Sequence, residues 1–147
     1  MDFEYFKQEK ARAKDLYRKH RVIYSPYFQE KITLNSKGFY HLQHSKGRLR
    51  DLKEQLFKFR CIELGIEVIK KSSTIQEYRE VEILDKNNHL EKAYYWGMVA
   101  IVGESNLKMR VVIRKVGDGE IHFWSVMPYS RIKNGRQQIY EEGLENG

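Results

Sequence analysis

The chain has 147 residues, of which 41% are hydrophobic and 13% aromatic; this is enough to bury one core and predicts a single domain. The 27 Lys and Arg residues exceed the 20 Asp and Glu residues, and the formal charge of +7 favours a polyanionic partner, most often nucleic acid. No apolar run approaches the roughly 20 residues that span a bilayer. The N-terminus is unlike a signal peptide and the single Cys61 cannot form an internal disulfide, so we expect a cytoplasmic protein without membrane contact.

The excess positive charge is concentrated in one segment. Residues 31–60 carry eight basic and two acidic side chains, whereas residues 72–147 carry ten basic and eleven acidic ones. A basic segment of this kind is typical of surfaces that contact phosphates. Small basic proteins also carry such charge for solubility alone, and that alternative stays open.

The first predicted elements are a helix and a short strand. Residues 2–20 have apolar side chains at helical spacing and predict a helix packed on the surface. Ser25-Pro26 then ends any helix, because proline disfavours helical geometry in the residue before it. Lys31–Leu34 predicts a strand, and Asn35–Gly38 predicts a turn.

Residues 48–71 predict one long amphipathic helix. Their apolar side chains recur at three- and four-residue spacing, and Gly65 marks a possible break late in the helix. The opposite face of this helix carries four cations, which we expect to face solvent: Arg50, Lys53, Lys58 and Arg60.

The second half of the chain predicts strands. Four segments rich in β-branched and aromatic residues are separated by short loops of turn-forming residues: Val81–Leu84, Ala93–Val102, Lys108–Val116 and Glu120–Met127. Together with the preceding helices they predict an α+β fold, with helices packed on a four-stranded antiparallel meander. We expect a single domain over residues 1–147, with a helical segment at 1–24, a core at 31–127 and a polar, fraying tail at 130–147.

The first candidate site residues are His41 and His44. They lie at the start of the basic segment, and an imidazole is the side chain whose ordinary pKa lies nearest neutrality. This combination indicates acid/base chemistry on a phosphate. The alternative is that both histidines are ordinary loop residues without a function. No C-x-x-C or H-E-x-x-H motif accompanies them, so we expect no metal and no cofactor.

The last hairpin suggests a second group of candidates. If Gly117-Asp118-Gly119 is a three-residue loop with Gly119 in the left-handed region, Val116 faces Glu120 and even-numbered residues share one face. The odd-numbered aliphatic residues then line the core under the helices. The other face gathers Arg110, Arg114, His122 and Trp124, unless it is simply a solvated sheet face.

Histidine, arginine, hydroxyl and aromatic residues on a basic protein are the set that metal-free RNA cleavage requires. The reaction needs a base for the 2′-hydroxyl, cations for the charged phosphorane and an acid for the leaving oxygen. Rings such as Trp124 and Tyr95 are suited to stacking an unpaired base. The usual glycine-rich signatures of NTPases, dinucleotide-binding proteins and α/β-hydrolases are missing from the sequence.

Two segments carry a resemblance to a known nuclease superfamily. The first segment is Ile32-Thr33-Leu34-Asn35-Ser36-Lys37-Gly38-Phe39-Tyr40-His41-Leu42, together with the basic helix after it. The second segment is Arg110-Val111-Val112-Ile113-Arg114-Lys115-Val116-Gly117-Asp118-Gly119, together with His122-Phe123-Trp124-Ser125. Their layout over residues 31–127 resembles the barnase–EndoU–colicin E5/D–RelE-like (BECR) nucleases, in particular the small phage- and toxin-associated members.

The resemblance implies a RelE-like fold of helices on a four-stranded antiparallel sheet, metal-independent RNA cleavage, and a toxin role with a neutralising antitoxin or immunity protein. It places a histidine early in the fold, an arginine in a central strand and a hydroxyl residue in the last strand. In this sequence those positions correspond to His41, to Arg110 or Arg114, and to Ser125.

Our leading hypothesis is therefore a metal-independent endoribonuclease that acts as a toxin or phage-associated effector. His41 would be the general base or acid, with His44 or His122 as its complement, while Arg110 and Arg114 stabilise the phosphorane and Ser125 orients the phosphate. Trp124 would stack a base. The RNA backbone would be followed by Lys37, Lys46, Arg48, Arg50 and Lys53.

Two rival hypotheses use the same residues. In one, the protein is an RNA- or DNA-binding module in which the histidines are incidental. In the other, the basic face is a protein-interaction surface for an acidic partner. A positive surface with aromatic residues is common to all three hypotheses.

Overall fold

The computed structural model describes residues 2–129 and 143–147. Its helices are α1 (Phe3–Lys19), α2 (Ser36–Gln43), α3 (Leu52–Arg60), α4 (Ile62–Lys71) and α5 (Gly143–Asn146). Its strands are β1 (Val22–Ser25), β2 (Glu30–Thr33), β3 (His44–Ser45), β4 (Arg48–Leu49), β5 (Glu77–Leu84), β6 (Leu90–Val102), β7 (Leu107–Val116) and β8 (His122–Pro128). None of the helices in the described part has the length and apolar character needed to cross a membrane.

The protein has an α+β fold built on a mostly antiparallel sheet. Within the described residues the sheet has six strands in the order β1-β2-β8-β7-β6-β5, rather than the four expected from the sequence. The strands outside the predicted meander are β1 and β2, which form a hairpin. The strand predicted at Lys31–Leu34 is confirmed as β2, and it pairs in parallel with β8. Strands β3 and β4 form a separate two-stranded ribbon next to α2.

Three helices begin at side chains that cap their backbone N–H groups. Asp2 caps α1, Asn35 caps α2 and Asp51 caps α3, each by accepting a hydrogen bond from a backbone amide in the first turn. The predicted N-terminal helix is confirmed as α1.

The predicted turn at Asn35–Gly38 is wrong, because Asn35 caps a helix there and His41 lies in α2 rather than in a loop. Gly38 allows this helix to pack tightly on β8, since a side-chain carbon at Gly38 would lie 2.1 Å from the backbone oxygen of Phe123.

The predicted helix over residues 48–71 begins only at Leu52, because Arg48 and Leu49 form β4, and it is two helices. The helix turns at Cys61, between α3 and α4, while Gly65 lies inside α4. Two of the four cations assigned to its solvent face are buried: Arg50 and Lys58 are only 6% and 5% exposed. The sequence pattern failed here because an amphipathic stripe identifies a buried face only when that face is apolar.

The central sheet separates two groups of buried residues. On the helical side the core contains Met98, Met109, Val111, Ile113 and Phe123. On the opposite side a smaller cluster contains Ala93, Tyr95, Val112, Met127 and Leu144. The odd-numbered residues predicted to lie under the helices do so, as strand alternation requires.

A β-bulge changes the pairing of β7 with β8. The expected register is present at Arg114, which faces His122. Between Val112 and Ile113 the register shifts by one residue, so that Val112 faces Ser125 and Arg110 faces Met127. In the β7–β8 connection the positive φ, 54°, is at its first residue, Gly117, and not at Gly119 as predicted.

Residues 143–147 are packed against the sheet, which contradicts the expected fraying of this part of the tail. Leu144 is 4% exposed and joins the smaller cluster. The backbone oxygen of Glu145 accepts a hydrogen bond from the Trp124 indole at 3.1 Å, and the Glu145 carboxylate pairs with Arg79 at 3.0 Å. The rest of the predicted tail, residues 130–142, lies outside the described residues.

Candidate active site

Three polar side chains from distant parts of the chain surround one oxygen atom, the backbone oxygen of Gly147. Ser125 Oγ donates a hydrogen bond to it at 2.8 Å and Arg50 Nη2 donates another at 3.1 Å. His41 Nε2 also lies 3.1 Å from it. All three side chains are buried, so water competes weakly for these contacts. Donors that converge on one oxygen in this way suit the oxygen of an anion or of a polarised phosphoryl group.

The position of Arg50 is fixed by α2 and α3. Its Nε donates to the backbone oxygen of His41 at 3.1 Å, and its Nη1 pairs with Glu54 Oε1 at 2.6 Å. The amide of Gln55 in turn donates to the backbone oxygen of Arg50 at 2.7 Å. A guanidinium held by several partners is a preorganised donor, because little conformational freedom remains to be lost when it binds an anion.

Lys58 adds a fourth buried polar side chain to this group. Its Nζ donates to Ser125 Oγ at 3.0 Å and to the backbone oxygen of Val126 at 3.1 Å. Burial, reinforced by the nearby Arg50 charge, lowers the Lys58 pKa to about 7. An amine with this pKa exchanges its proton near neutral pH, which is the property needed in a general acid or base.

The imidazole of His41 stacks on the indole of Trp124. The ring centroids are 4.0 Å apart and the planes differ by 12°. Burial, together with the Arg50 charge, lowers the His41 pKa to about 3, so that the imidazole is neutral at physiological pH. Its Nε2 also lies 3.3 Å from Arg50 Nη2, and an imidazole with this pKa is a weak base that holds no proton to give away as an imidazolium.

Trp124 is held between two charged or polar groups rather than left open for a base. The Arg114 guanidinium carbon lies 4.1 Å from the indole centroid, and two groups about 4 Å from one centroid must occupy opposite faces. A base could stack on Trp124 only after Arg114 or His41 moved, so this role stays a prediction. Its role in the structure is to separate Arg114 from His41 and to orient both.

Tyr95 also has a different environment from the one expected. It is 3% exposed, and its hydroxyl accepts a hydrogen bond from Arg114 Nε at 3.1 Å. A buried ring cannot stack an incoming base, so Tyr95 acts as a support for Arg114.

The exposed aromatic residue near the site is Tyr40, which the sequence analysis did not select. It is 59% exposed and stacks on the His44 ring with a centroid distance of 3.8 Å. Tyr40 lines a depression of about 450 Å³ together with Ser36, Lys37, Arg114 and Trp124. Its position one residue before His41 was the only signal available in the sequence.

Arg110 is fully buried and lies next to Gly147. Its Nη1 pairs with Glu77 at 3.0 Å, and its Nη2 lies 2.9 Å from Met127 Sδ. A side-chain carbon at Gly147 would lie 3.1 Å from this Nη2, so the guanidinium is adjacent to the occupied pocket. The Glu77 carboxylate balances part of its charge.

The other two candidate histidines do not contact the Gly147 oxygen. His122 is buried, and its Nδ1 lies 3.2 Å from the backbone oxygen of Glu120. Burial lowers its pKa to about 4. His44 Nδ1 lies 3.0 Å from the backbone oxygen of Tyr40.

The cations predicted to follow the RNA backbone are partly exposed and partly buried. Lys37, Lys46, Arg48 and Lys53 are exposed, whereas Arg50 belongs to the buried group around Gly147. Within residues 2–129 and 143–147, no three His, Cys, Asp or Glu side chains come together as a potential metal site.

Comparisons with protein families, curated proteins and solved structures gave no match.

Proposed function

We propose that this protein cleaves RNA by a metal-independent mechanism at the pocket formed by His41, Arg50, Lys58 and Ser125. The observation that carries the proposal is the convergence of Arg50, Ser125 and His41 on one oxygen, with Lys58 behind Ser125. In the proposed complex a phosphoryl oxygen takes the place of the Gly147 oxygen. The pocket then supplies two cations, a hydroxyl and a neutral imidazole to a single phosphate.

The proposed reaction is an internal transfer at phosphorus. Neutral His41 accepts the 2′-hydroxyl proton as the 2′-oxygen attacks phosphorus, and the bond from phosphorus to the 5′-oxygen breaks. The Ser125 hydroxyl donates its proton to the departing 5′-oxygen and takes one from protonated Lys58, which lies 3.0 Å behind it, while Arg50 stabilises the charge that builds on the phosphorane. Ser125 orients the phosphate. The products are a 2′,3′-cyclic phosphate and a free 5′-hydroxyl.

Access to this pocket requires residues 143–147 to move. Leu144, the Trp124–Glu145 hydrogen bond and the Arg79–Glu145 ion pair hold them in place. RNA would compete with this segment for the same donors. The proposal therefore includes an activity that rises when the segment is displaced.

We propose the same biological class that the resemblance implies. A BECR-like endoribonuclease with these properties would act in the cytoplasm as a toxin or phage-associated effector, held in check by a neutralising protein. The roles of Arg110 and Arg114 become supporting ones in this scheme, because Arg110 pairs with Glu77 and Arg114 packs on Trp124.

One observation favours a second function, RNA binding without cleavage. In the described structure the Gly147 oxygen occupies the pocket, while Tyr40, Lys37 and Lys53 remain exposed to a passing strand. The same protein could then hold RNA on its surface and leave the bond intact.

The decisive experiment incubates the purified protein with total RNA in EDTA. Cleavage with 2′,3′-cyclic phosphate ends supports the nuclease, and its loss in Ser125→Ala and His41→Gln assigns it to this pocket. His89→Gln is the matched control, because His89 lies exposed in the β5–β6 connection. Binding of RNA without any cleavage, by the wild type and by a variant in which residues 143–147 are released, would overturn the nuclease in favour of the binding module.

A further inference from the structure

A second cleft lies between α1 and α2, away from the Gly147 pocket. It has a volume of about 860 Å³. One wall is formed by Lys10, Lys14 and Arg18 of α1, and the other includes Phe39 and Tyr40 of α2. A cleft of this size is comparable to those that accept ligands of roughly 300–1,000 Å³.

The cleft has a strong positive charge. Among the described residues that line it, four are basic and one is acidic: Lys10, Lys14, Arg18 and Arg21 against Glu120. Lys10, Lys14 and Arg21 form no ion pair with any residue in the described part of the chain. Asn35 already donates a hydrogen bond to Glu120 at 2.8 Å. The cleft therefore favours an anionic occupant.

Tyr17 lines the same cleft with its ring. The residue is 7% exposed, and its Oη has no hydrogen bond within residues 2–129 and 143–147. Its ring is fixed by edge contacts to Phe39 and Phe123 at centroid distances of 5.0 and 6.2 Å. The Oη atom is fully shielded and lies beside Gly38, 3.5 Å from the position that a side-chain carbon of this residue would take, so Tyr17 offers its fixed ring, and not its hydroxyl, to the cleft.

The cleft continues towards the proposed active site. Ser36 and Tyr40 line both this cleft and the depression that contains Arg114 and Trp124. An RNA backbone bound along the cations of α1 would therefore pass the exposed ring of Tyr40. Beyond Trp124 lies His41, which stacks on its other face.

We propose that this α1–α2 cleft binds the single-stranded RNA segment that flanks the scissile phosphate. The inference rests on the proposed function for the direction of the strand, while the cleft itself is an independent site. The α1 cations contact phosphates, and the exposed ring of Tyr40 stacks a base. RNA is favoured over an acidic protein because cations and an exposed aromatic ring are combined along one continuous path.

The test compares two charge-reversal variants on two RNA lengths. Lys14→Glu combined with Arg21→Glu changes the cleft, and Lys70→Glu combined with Lys86→Glu makes the same charge change at exposed positions outside it. The substrates are single-stranded RNAs of about 12 and about 3 nucleotides, of which only the longer can fill a site of this extent. We expect the cleft variant to raise KM for the long RNA about tenfold, to leave the short RNA unchanged, and to lower the salt slope by about 0.7 per lost phosphate contact.

Tyr40→Leu provides a second measurement that does not depend on charge. Removal of this ring, which is 59% exposed, should leave the melting temperature nearly unchanged, yet weaken affinity for the long RNA. If both cleft variants bind long RNA like the matched control, the cleft proposal is wrong. If no RNA is cleaved at all, the proposed function fails, while fluorescence anisotropy with intact RNA still decides whether the cleft binds it.

Discussion

The ammonium group of Lys58 lies 3.0 Å from the hydroxyl oxygen of Ser125, although 67 residues separate the two in the chain. Lys58 comes from α3 and Ser125 from β8, beside the bulge that sets the β7–β8 register. This contact joins a lysine with a pKa of about 7 to the group that holds the Gly147 oxygen.

The protonation state of Lys58 should set the pH dependence of cleavage. If protonated Lys58 supplies the leaving-group proton, kcat/KM should fall as the pH rises through about 7, because the free protein loses that proton there. Lys58→Arg should keep a charge and remove this fall from the pH–rate profile, while Lys58→Met should reduce cleavage at every pH. A wild-type profile that rises through neutrality would show that Lys58 is not the acid.

His41 should be needed for turnover. We expect His41→Gln to lower kcat by about 10²-fold or more, since the amide cannot accept the 2′-hydroxyl proton. RNA affinity should change little. Because His41 is buried against Trp124, thermal unfolding of the variant must be measured beside its kinetics, and His89→Gln serves as the control. Full activity in a folded His41→Gln protein would remove His41 from the mechanism.

The buried histidines should make folding sensitive to acid. The pKa of His41 is lowered to about 3 and that of His122 to about 4, whereas both return to their ordinary value near 6.5 on unfolding. Below about pH 6.5 the unfolded chain binds more protons than the folded one, so their contribution to stability is complete above that pH and is lost as the pH falls towards 3.

Chemical denaturation at several pH values measures this effect. The free energy of unfolding should decrease between pH 7 and pH 4, and His122→Gln should flatten the decrease. His89→Gln, at an exposed site, should leave the curve unchanged. Equal pH slopes for the wild type and His122→Gln would argue against a buried neutral imidazole at this position.

Displacement of residues 143–147 should increase cleavage. Leu144→Asp places a charge in the cluster of Tyr95, Val112 and Met127, which strongly disfavours the docked segment. We expect kcat/KM to rise by about 30-fold or more, since loss of a buried leucine contact is worth about 2–5 kcal/mol and each 1.4 kcal/mol is a factor of about ten. Leu107→Asp is the matched control at an exposed position. A folded Leu144→Asp protein with unchanged or lower activity would contradict the competition between this segment and RNA.

Arg50 and Lys53 should differ although they are three residues apart. Arg50 is buried at the Gly147 oxygen, and Lys53 is exposed on α3. Arg50→Lys should lower kcat because the ammonium cannot reproduce the guanidinium contacts to His41 and Glu54. Lys53→Ala should raise KM slightly and lower the salt dependence of binding, with kcat unchanged. Single-turnover cleavage and RNA titrations over a range of salt concentrations separate the two effects.

The sequence determined those features that depend on neighbouring residues. Strand alternation put Met109, Val111, Ile113 and Phe123 on the helical side of the sheet, and helical spacing identified α1. The choice of His41 and Ser125 as candidates came from residue chemistry and from the resemblance, and the structure brings both to the Gly147 oxygen.

Only the tertiary structure decided which polar residues are buried together. Arg50 and Lys58 look like solvent-facing cations in the sequence, because periodicity cannot distinguish a polar residue in water from one turned towards a buried partner. The bulge in β8 shifts the register by one residue, and a shift of this kind has no local signature when the strand remains β-branched and aromatic. The pocket at Gly147 joins residues from α2, β8 and the segment before α3, so it exists only after these elements have packed.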